Sequence, residues 1–201
     1  MRRMMLSLAV LVLAAGPAFA GDKYNKKITI GEKAPVFSGI PAVMGEEATS
    51  ISLPDVKEDV VVVVFLGNHC PVVVAYEDRI IDLVNDYKGK SVKVIGVCVN
   101  NNDADRLPAI KTRVKEKGYN YVYGYDESQQ VGRDYGAVVT PEFFVLDKSR
   151  NVRYAGALDD NMNEGKVTKK YVRDAIDALL AGSEPPVTTS QARGCGVQYK
   201  R

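Results

Sequence analysis

Of the three cysteines in this 201-residue chain, Cys70 has the surroundings of a nucleophile. It stands in Phe65-Leu66-Gly67-Asn68-His69-Cys70-Pro71, directly after the apolar run Val60 to Phe65 and directly before a segment with helical periodicity. Free backbone N–H groups and aligned peptide dipoles at a helix N-terminus stabilise negative charge, so a cysteine there is favoured as the thiolate, the form that attacks sulfur. The competing reading of Cys70 is a small buried hydrophobe. His69 either tunes the neighbouring thiol or is a solvent-facing loop residue. It is also the sole histidine, which excludes a multi-histidine metal centre, and the cysteine spacing does not match a zinc site. Neither a metal nor a cofactor is expected.

The elements that position Cys70 follow from periodicity. Val60 to Phe65 and Val92 to Val99 are apolar, rich in β-branched residues, and read as strands buried on both faces; Phe143 to Leu146 and Val152 to Tyr154 are shorter strands. Val73, Tyr76, Ile80, Leu83, Val84 and Tyr87 recur at three- and four-residue steps, an amphipathic helix that opens at Cys70-Pro71 and ends before Lys88-Gly89. Glu77 and Arg79 on that helix read as solvated charges. A second helix runs from near Asp103 to before Gly118, a short one over residues 127–135 is closed by Gly136, and a last one runs from about Thr168 to before Gly182. The order βαβαββα implies an α/β domain, parallel in its first half, with a hairpin in its second.

Two segments frame this body. Residues 21–59 are a polar extension read as a strand and turn laid on the domain. Residues 183–201 are too rich in Pro, Ser and Thr for a regular element. They end in Gly194-Cys195-Gly196-Val197-Gln198-Tyr199, a sequence suited to lying against the domain.

The first twenty residues have the grammar of a signal peptide. Met1-Arg2-Arg3 is basic, Leu6 to Ala15 is apolar but too short to span a membrane, and Ala18-Phe19-Ala20 is suited to cleavage before Gly21. The expected organisation is therefore a signal peptide over 1–20, one domain over 21–182, and a C-terminal tail over 183–201. Export places the chain in the periplasm or outside the cell, where cysteines act in pairs. With three cysteines, at least one is left over. Loss of Arg2 and Arg3 takes the formal net charge from +2 to zero, which argues against nucleic acid as a partner.

In order and spacing these segments resemble the thioredoxin-like superfamily, and within it the secreted redoxin or AhpC/TSA (peroxiredoxin-like) proteins. The resemblance covers roughly residues 28–199. It is carried by Gly31-Glu32-Lys33-Ala34-Pro35-Val36-Phe37, Asn68-His69-Cys70-Pro71, Val139-Thr140-Pro141-Glu142-Phe143-Phe144, Tyr154-Ala155-Gly156 with Asp159-Asp160-Asn161, and Gly194-Cys195-Gly196. It implies a thioredoxin-like fold with a central mixed sheet flanked by helices. It also implies a cis peptide at Pro141 facing Cys70, and a Thr140 backbone able to bind a thiol or an extended peptide.

The chain departs from the pattern at two positions. Val73 stands where an ordinary thioredoxin site has its second cysteine, and Gly67 stands where relatives carry a cysteine or peroxiredoxins a threonine. The remaining resolving candidates are Cys195 and Cys98; Cys98, inside the second core strand, reads as structural, and Cys195 gives the best pair with Cys70. The glycines beside Cys195 suit the close approach a disulfide demands.

Three readings follow. One is a thiol-disulfide oxidoreductase with Cys70 as nucleophile and Cys195 as resolver, supported by His69, Asn68, Pro71, Thr140 and Pro141. Another is a thiol peroxidase. The third is a non-catalytic binding domain in which Cys70–Cys195 is a fixed staple. The implied partners are protein or small-molecule thiols and disulfides, peroxide for the second reading, and an exported thiol reductant; after cleavage the protein is not embedded in a membrane.

Overall fold

The structure, a computed structural model, describes residues 23–200; the expected signal peptide lies outside the described residues. The strands are β1 (Ile40–Met44), β2 (Glu47–Ile51), β3 (Val60–Phe65), β4 (Val92–Cys98), β5 (Val122–Tyr125), β6 (Val139–Thr140), β7 (Glu142–Leu146), β8 (Val152–Gly156) and β9 (Cys195–Gly196). The helices are α1 (Pro71–Asp86), α2 (Leu107–Lys117), α3 (Gln130–Tyr135) and α4 (Tyr171–Leu180).

Seven strands form one mixed sheet in the order β2-β1-β5-β4-β3-β7-β8, and β6 pairs with β9 apart from it. The centre is parallel, β3 with β4 and β4 with β5, while β7 and β8 form the antiparallel hairpin. Every residue of β3 is buried, because this strand has core on both faces. Val60, Val62 and Val64 join α1, α2 and α4 on one side; Val61, Val63 and Phe65 join Phe37, Tyr135 and the N-terminal segment on the other.

The expected fold class is the one observed. The extension before β3 differs from its expected form: it contributes a hairpin, β1–β2, that joins the main sheet through β5. β5 itself escaped the periodicity reading because Val122-Tyr123-Gly124-Tyr125 is short and broken by a glycine. Gly124 lets the hairpin pack closely there, a Cβ lying 2.8 Å from the tip of the Ile51 side chain. Helix α2 opens at Leu107 with Pro108 in its first turn, the Asp103–Asp105 stretch being a separate 3-10 turn.

Glu77 and Arg79 are the clearest correction. Both are buried, not solvated, because α1 lies between neighbours on each flank. Glu77 accepts from Arg113 Nε at 2.6 Å and Nη2 at 2.8 Å and from the Tyr119 hydroxyl. Arg79 donates to Asp159 at 2.6 Å and to the carbonyls of Asn161 and Met162, with its guanidinium 3.9 Å from the Tyr76 ring centre. A buried charge is tolerable only when so partnered, and a single helix cannot reveal partners from distant segments.

Candidate redox site

Strand β3 ends at Phe65, and five residues later Cys70 caps α1. Pro71 follows as the first helical residue, where a missing N–H costs nothing. The Cys70 N–H donates to the Gly67 carbonyl at 3.1 Å, and its own carbonyl accepts from Val74 N–H at 3.0 Å, so the turn and the helix start are continuous. Cys70 makes no side-chain capping bond, and its side chain is completely buried.

The sulfur of Cys70 is bonded to that of Cys195 across 125 residues, with the Cα atoms 5.8 Å apart. That separation lies within the range disulfide geometry allows. Cys98 is free and fully buried; burial, reinforced by the negative charge of Asp105, pushes its thiol well above the ordinary range. Its thiol therefore stays protonated, the form that does not attack sulfur.

The peptide bond Thr140–Pro141 is cis, and Cys70 Sγ lies 3.2 Å from the Thr140 carbonyl oxygen. An oxidised sulfur has no proton to donate, so this is a close contact rather than a hydrogen bond. β9 pairs antiparallel with β6, placing Cys195 opposite Thr140 and Gly196 opposite Val139. A Cβ on Gly194 would lie 1.9 Å from the Thr140 oxygen, whereas one on Gly196 would meet nothing. The tail is held beyond the disulfide as well. Val197 N–H donates to the Val138 carbonyl at 3.0 Å and Gln198 N–H to Asn100 Oδ1 at 2.9 Å. Gln129 grips it twice, donating to the Gln198 carbonyl at 2.8 Å and accepting from Lys200 N–H at 2.6 Å.

On the other flank, His69 Nδ1 bonds the carboxylate of Asp105, which is fully buried and also accepts from His69 N–H at 3.2 Å and Asn102 Nδ2 at 2.8 Å. His69 is thus anchored with a quarter of its side chain exposed, leaving Nε2 as the ring nitrogen not engaged by Asp105. Asn68 donates to the Ala104 carbonyl at 3.0 Å, tying the same loop down. The volume a side chain at position 67 would need is taken by Asn100, whose Nδ2 would be 2.6 Å from a Cβ there. Asn100, Asp105 and Gln129 were not legible as site residues, because each acts through contacts with segments at least thirty residues away. The last sequence cue was the cluster of Asn and Asp between 100 and 105, which by itself reads as a loop.

Beside Pro141 lies a cavity of about 680 Å³ whose walls include Val72 and Tyr76 of α1, Leu158, Tyr171, Val187 and Arg193. Glu142, directly after Pro141, is buried and accepts from Val138 N–H at 3.0 Å; burial outweighs the neighbouring N–H groups and Asn25 and pushes its carboxyl up to about 7. Among the described residues no group of three or more His, Cys, Asp or Glu is placed to hold a metal ion, and no helix is long and apolar enough to cross a membrane.

The site thus joins a cysteine at a helix start to a second cysteine beside a cis-proline. The Redoxin family profile matches residues 29–175. This chain belongs to the Redoxin family. Two solved structures resemble this redoxin over most of its length. An uncharacterised conserved protein from Geobacillus kaustophilus is 32% identical, with 88% of this chain and 95% of that one covered and a TM-score of 0.80. A hypothetical protein from Sinorhizobium meliloti 1021 is 30% identical, with 88% and 97% covered and a TM-score of 0.78. Among curated proteins, the thiol-disulfide oxidoreductase ResA of Bacillus thuringiensis (strain Al Hakam) is 27% identical over 193 residues, 92% of this chain and 97% of its own.

Proposed function

We propose that this redoxin is a thiol-disulfide oxidoreductase whose working pair is Cys70 and Cys195. The observation that carries the reading is the bond between them at the start of α1, beside Pro141. The likeness to ResA, an enzyme named for this chemistry, supports the same reaction class.

In the oxidised protein Cys70 is completely buried and Cys195 only half-buried, so a reducing thiol meets Cys195 first. Attack there transfers the incoming sulfur to Cys195 and expels Cys70 as a thiolate, a leaving group stabilised by the helix N-terminus. The second thiol of the reductant then frees Cys195. Reduced Cys70 attacks a substrate disulfide, and Cys195 resolves the mixed disulfide by attacking Cys70. His69 and Asn68 hold the loop before the nucleophile, while Pro71 starts the helix. Thr140 and Pro141 present a backbone edge to the reacting sulfurs. Electrons pass from sulfur to sulfur, so the reaction needs no cofactor.

The substrates are protein or small-molecule disulfides, and an exported thiol donor restores the reduced state. Residues 1–20 would direct the chain out of the cytoplasm, leaving the domain over 21–182 and its tail over 183–201 in the periplasm or outside the cell. The peroxidase reading has weaker support, since Gly67 offers no hydroxyl and the Asn100 amide occupies the space a side chain there would need.

Peptide mapping by mass spectrometry across a glutathione redox buffer tests the proposal. A Cys70–Cys195 linkage that opens reversibly near about −200 mV supports a working pair; one that persists below about −300 mV means a structural staple.

A further inference from the structure

The tail does more than carry a cysteine. It lies in extended conformation along residues 138–140, in register, with its backbone bound beyond the paired residues, at Gln198 and Lys200, by the side-chain amides of Asn100 and Gln129. Asn100 and Gln129 are themselves buried, at 0% and 2% exposure. Hydrogen bonds to backbone atoms recognise an extended strand whatever its side chains, which is how a sheet edge accepts a peptide. Tail side chains also meet the domain, the Tyr199 hydroxyl donating to the Ala137 carbonyl and the Gln198 side chain accepting from Asn102, but next to the cysteine one position is set by backbone alone. The residue before Cys195 must be glycine because a Cβ there would penetrate the Thr140 carbonyl, whereas the residue after it faces open space.

We propose that Gly194–Lys200 is a built-in substrate mimic, occupying the cleft that accepts an extended polypeptide with the sequence Gly-Cys at its reactive point and vacating it when Cys70–Cys195 is reduced. The inference rests on Cys70 being the nucleophile. Cys70 thiolate attacks the Gly-Cys sulfur of a substrate disulfide, forming Cys70–S–S–substrate and releasing the substrate's other sulfur as a thiolate that takes up a proton. Cys195 thiolate then attacks Cys70, the tail pairs again with β6, and the substrate leaves as a thiol. Resolution and product release are one strand exchange. The protein gives up two electrons to the substrate and ends as the Cys70–Cys195 disulfide.

The test uses full-length protein with Cys195→Ser, reduced, and three peptides patterned on residues 193–199. Each carries its cysteine as a mixed disulfide with 5-thio-2-nitrobenzoate: Arg-Gly-Cys-Gly-Val-Gln-Tyr, the same with alanine before the cysteine, and the same with alanine after it. Release of the coloured thiolate should be at least about tenfold slower with alanine before the cysteine and within about twofold with alanine after it, since only the first Cβ meets backbone. Any residual docking of the tail slows all three equally and leaves the ratios intact. Equal rates for the three peptides, with Cys70 still reacting with free nitrobenzoate disulfide, would overturn the substrate mimic and leave the oxidoreductase reading standing. No reaction with any of these reagents would overturn both. In the wild type, hydrogen exchange at Val197, Gln198 and Lys200 N–H should be at least about tenfold faster after reduction. Unchanged protection would mean the tail never vacates the cleft, and the proposal fails.

Discussion

Strands β3 and β4 are parallel neighbours, and each delivers a cysteine that is completely buried. Cys98 is the last residue of β4, still within the strand, with no helix start behind it and burial and a carboxylate holding its proton on. Cys70 comes five residues after β3 ends, at the first turn of α1, with the cis-proline loop and a second cysteine against it. Burial is shared, so what distinguishes the two sulfurs is what faces each of them.

The sharpest way to break this comparison is to remove each sulfur in turn. Cys70→Ser should reduce thiol-disulfide exchange by at least about a thousandfold, because the nucleophile itself is gone. Cys98→Ala should leave the rate within about twofold, since that thiol only fills space. Stopped-flow reduction of a peptide disulfide reads both, and similar losses for the two variants would dissolve the distinction.

Stability sharpens it further. Reducing the Cys70–Cys195 bond reopens a loop of 125 residues, and the loop-entropy estimate places the loss at about 5 kcal/mol. Denaturant titration of the oxidised and reduced protein measures it; no change would mean the tail's hydrogen bonds hold the folded state alone. Arg79→Ala should cost about 3 kcal/mol by stranding the buried carboxylate of Asp159, whereas an exposed helix charge would cost almost nothing.

The smallest effect is a pH dependence at the Cys70 end. Glu142 pairs with Phe65 across β3 and β7, and its carboxyl is raised from 4.5 to about 7 by burial. Between those values the folded protein holds a proton that the unfolded chain has lost, so stability falls as pH rises through the window and stays low above it. Glu142→Gln should flatten that slope and stabilise the protein at pH 8 by about 2 to 3 kcal/mol. An unchanged slope in urea titrations at pH 5 and pH 8 would assign the dependence to other groups.

How much was legible can be argued from these same residues. Cys70 was, because a β-branched run, a cysteine, a proline and a 3.6-residue pattern occupy consecutive positions and local physics suffices to read them. Thr140-Pro141 was legible through resemblance, and Cys195 by its flanking glycines. Asn100, Asp105 and Gln129 were not, since an amide or carboxylate announces no partner until the fold supplies one. Glu77 and Arg79 were misread for the same reason.

By itself, then, the sequence determined the strand-to-helix junction that presents Cys70, the α/β alternation that makes a parallel core, and the family the chain resembles. These are matters of periodicity, propensity and short-range chemistry, which act between residues a few positions apart. Only the tertiary structure decided that the tail lies antiparallel to residues 138–140, that Gly194 and not Gly196 is obligatory, and that buried amides hold the strand in place. Those outcomes depend on groups from four distant segments meeting within hydrogen-bond distance, and that is set by how the layers pack rather than by any stretch of chain alone.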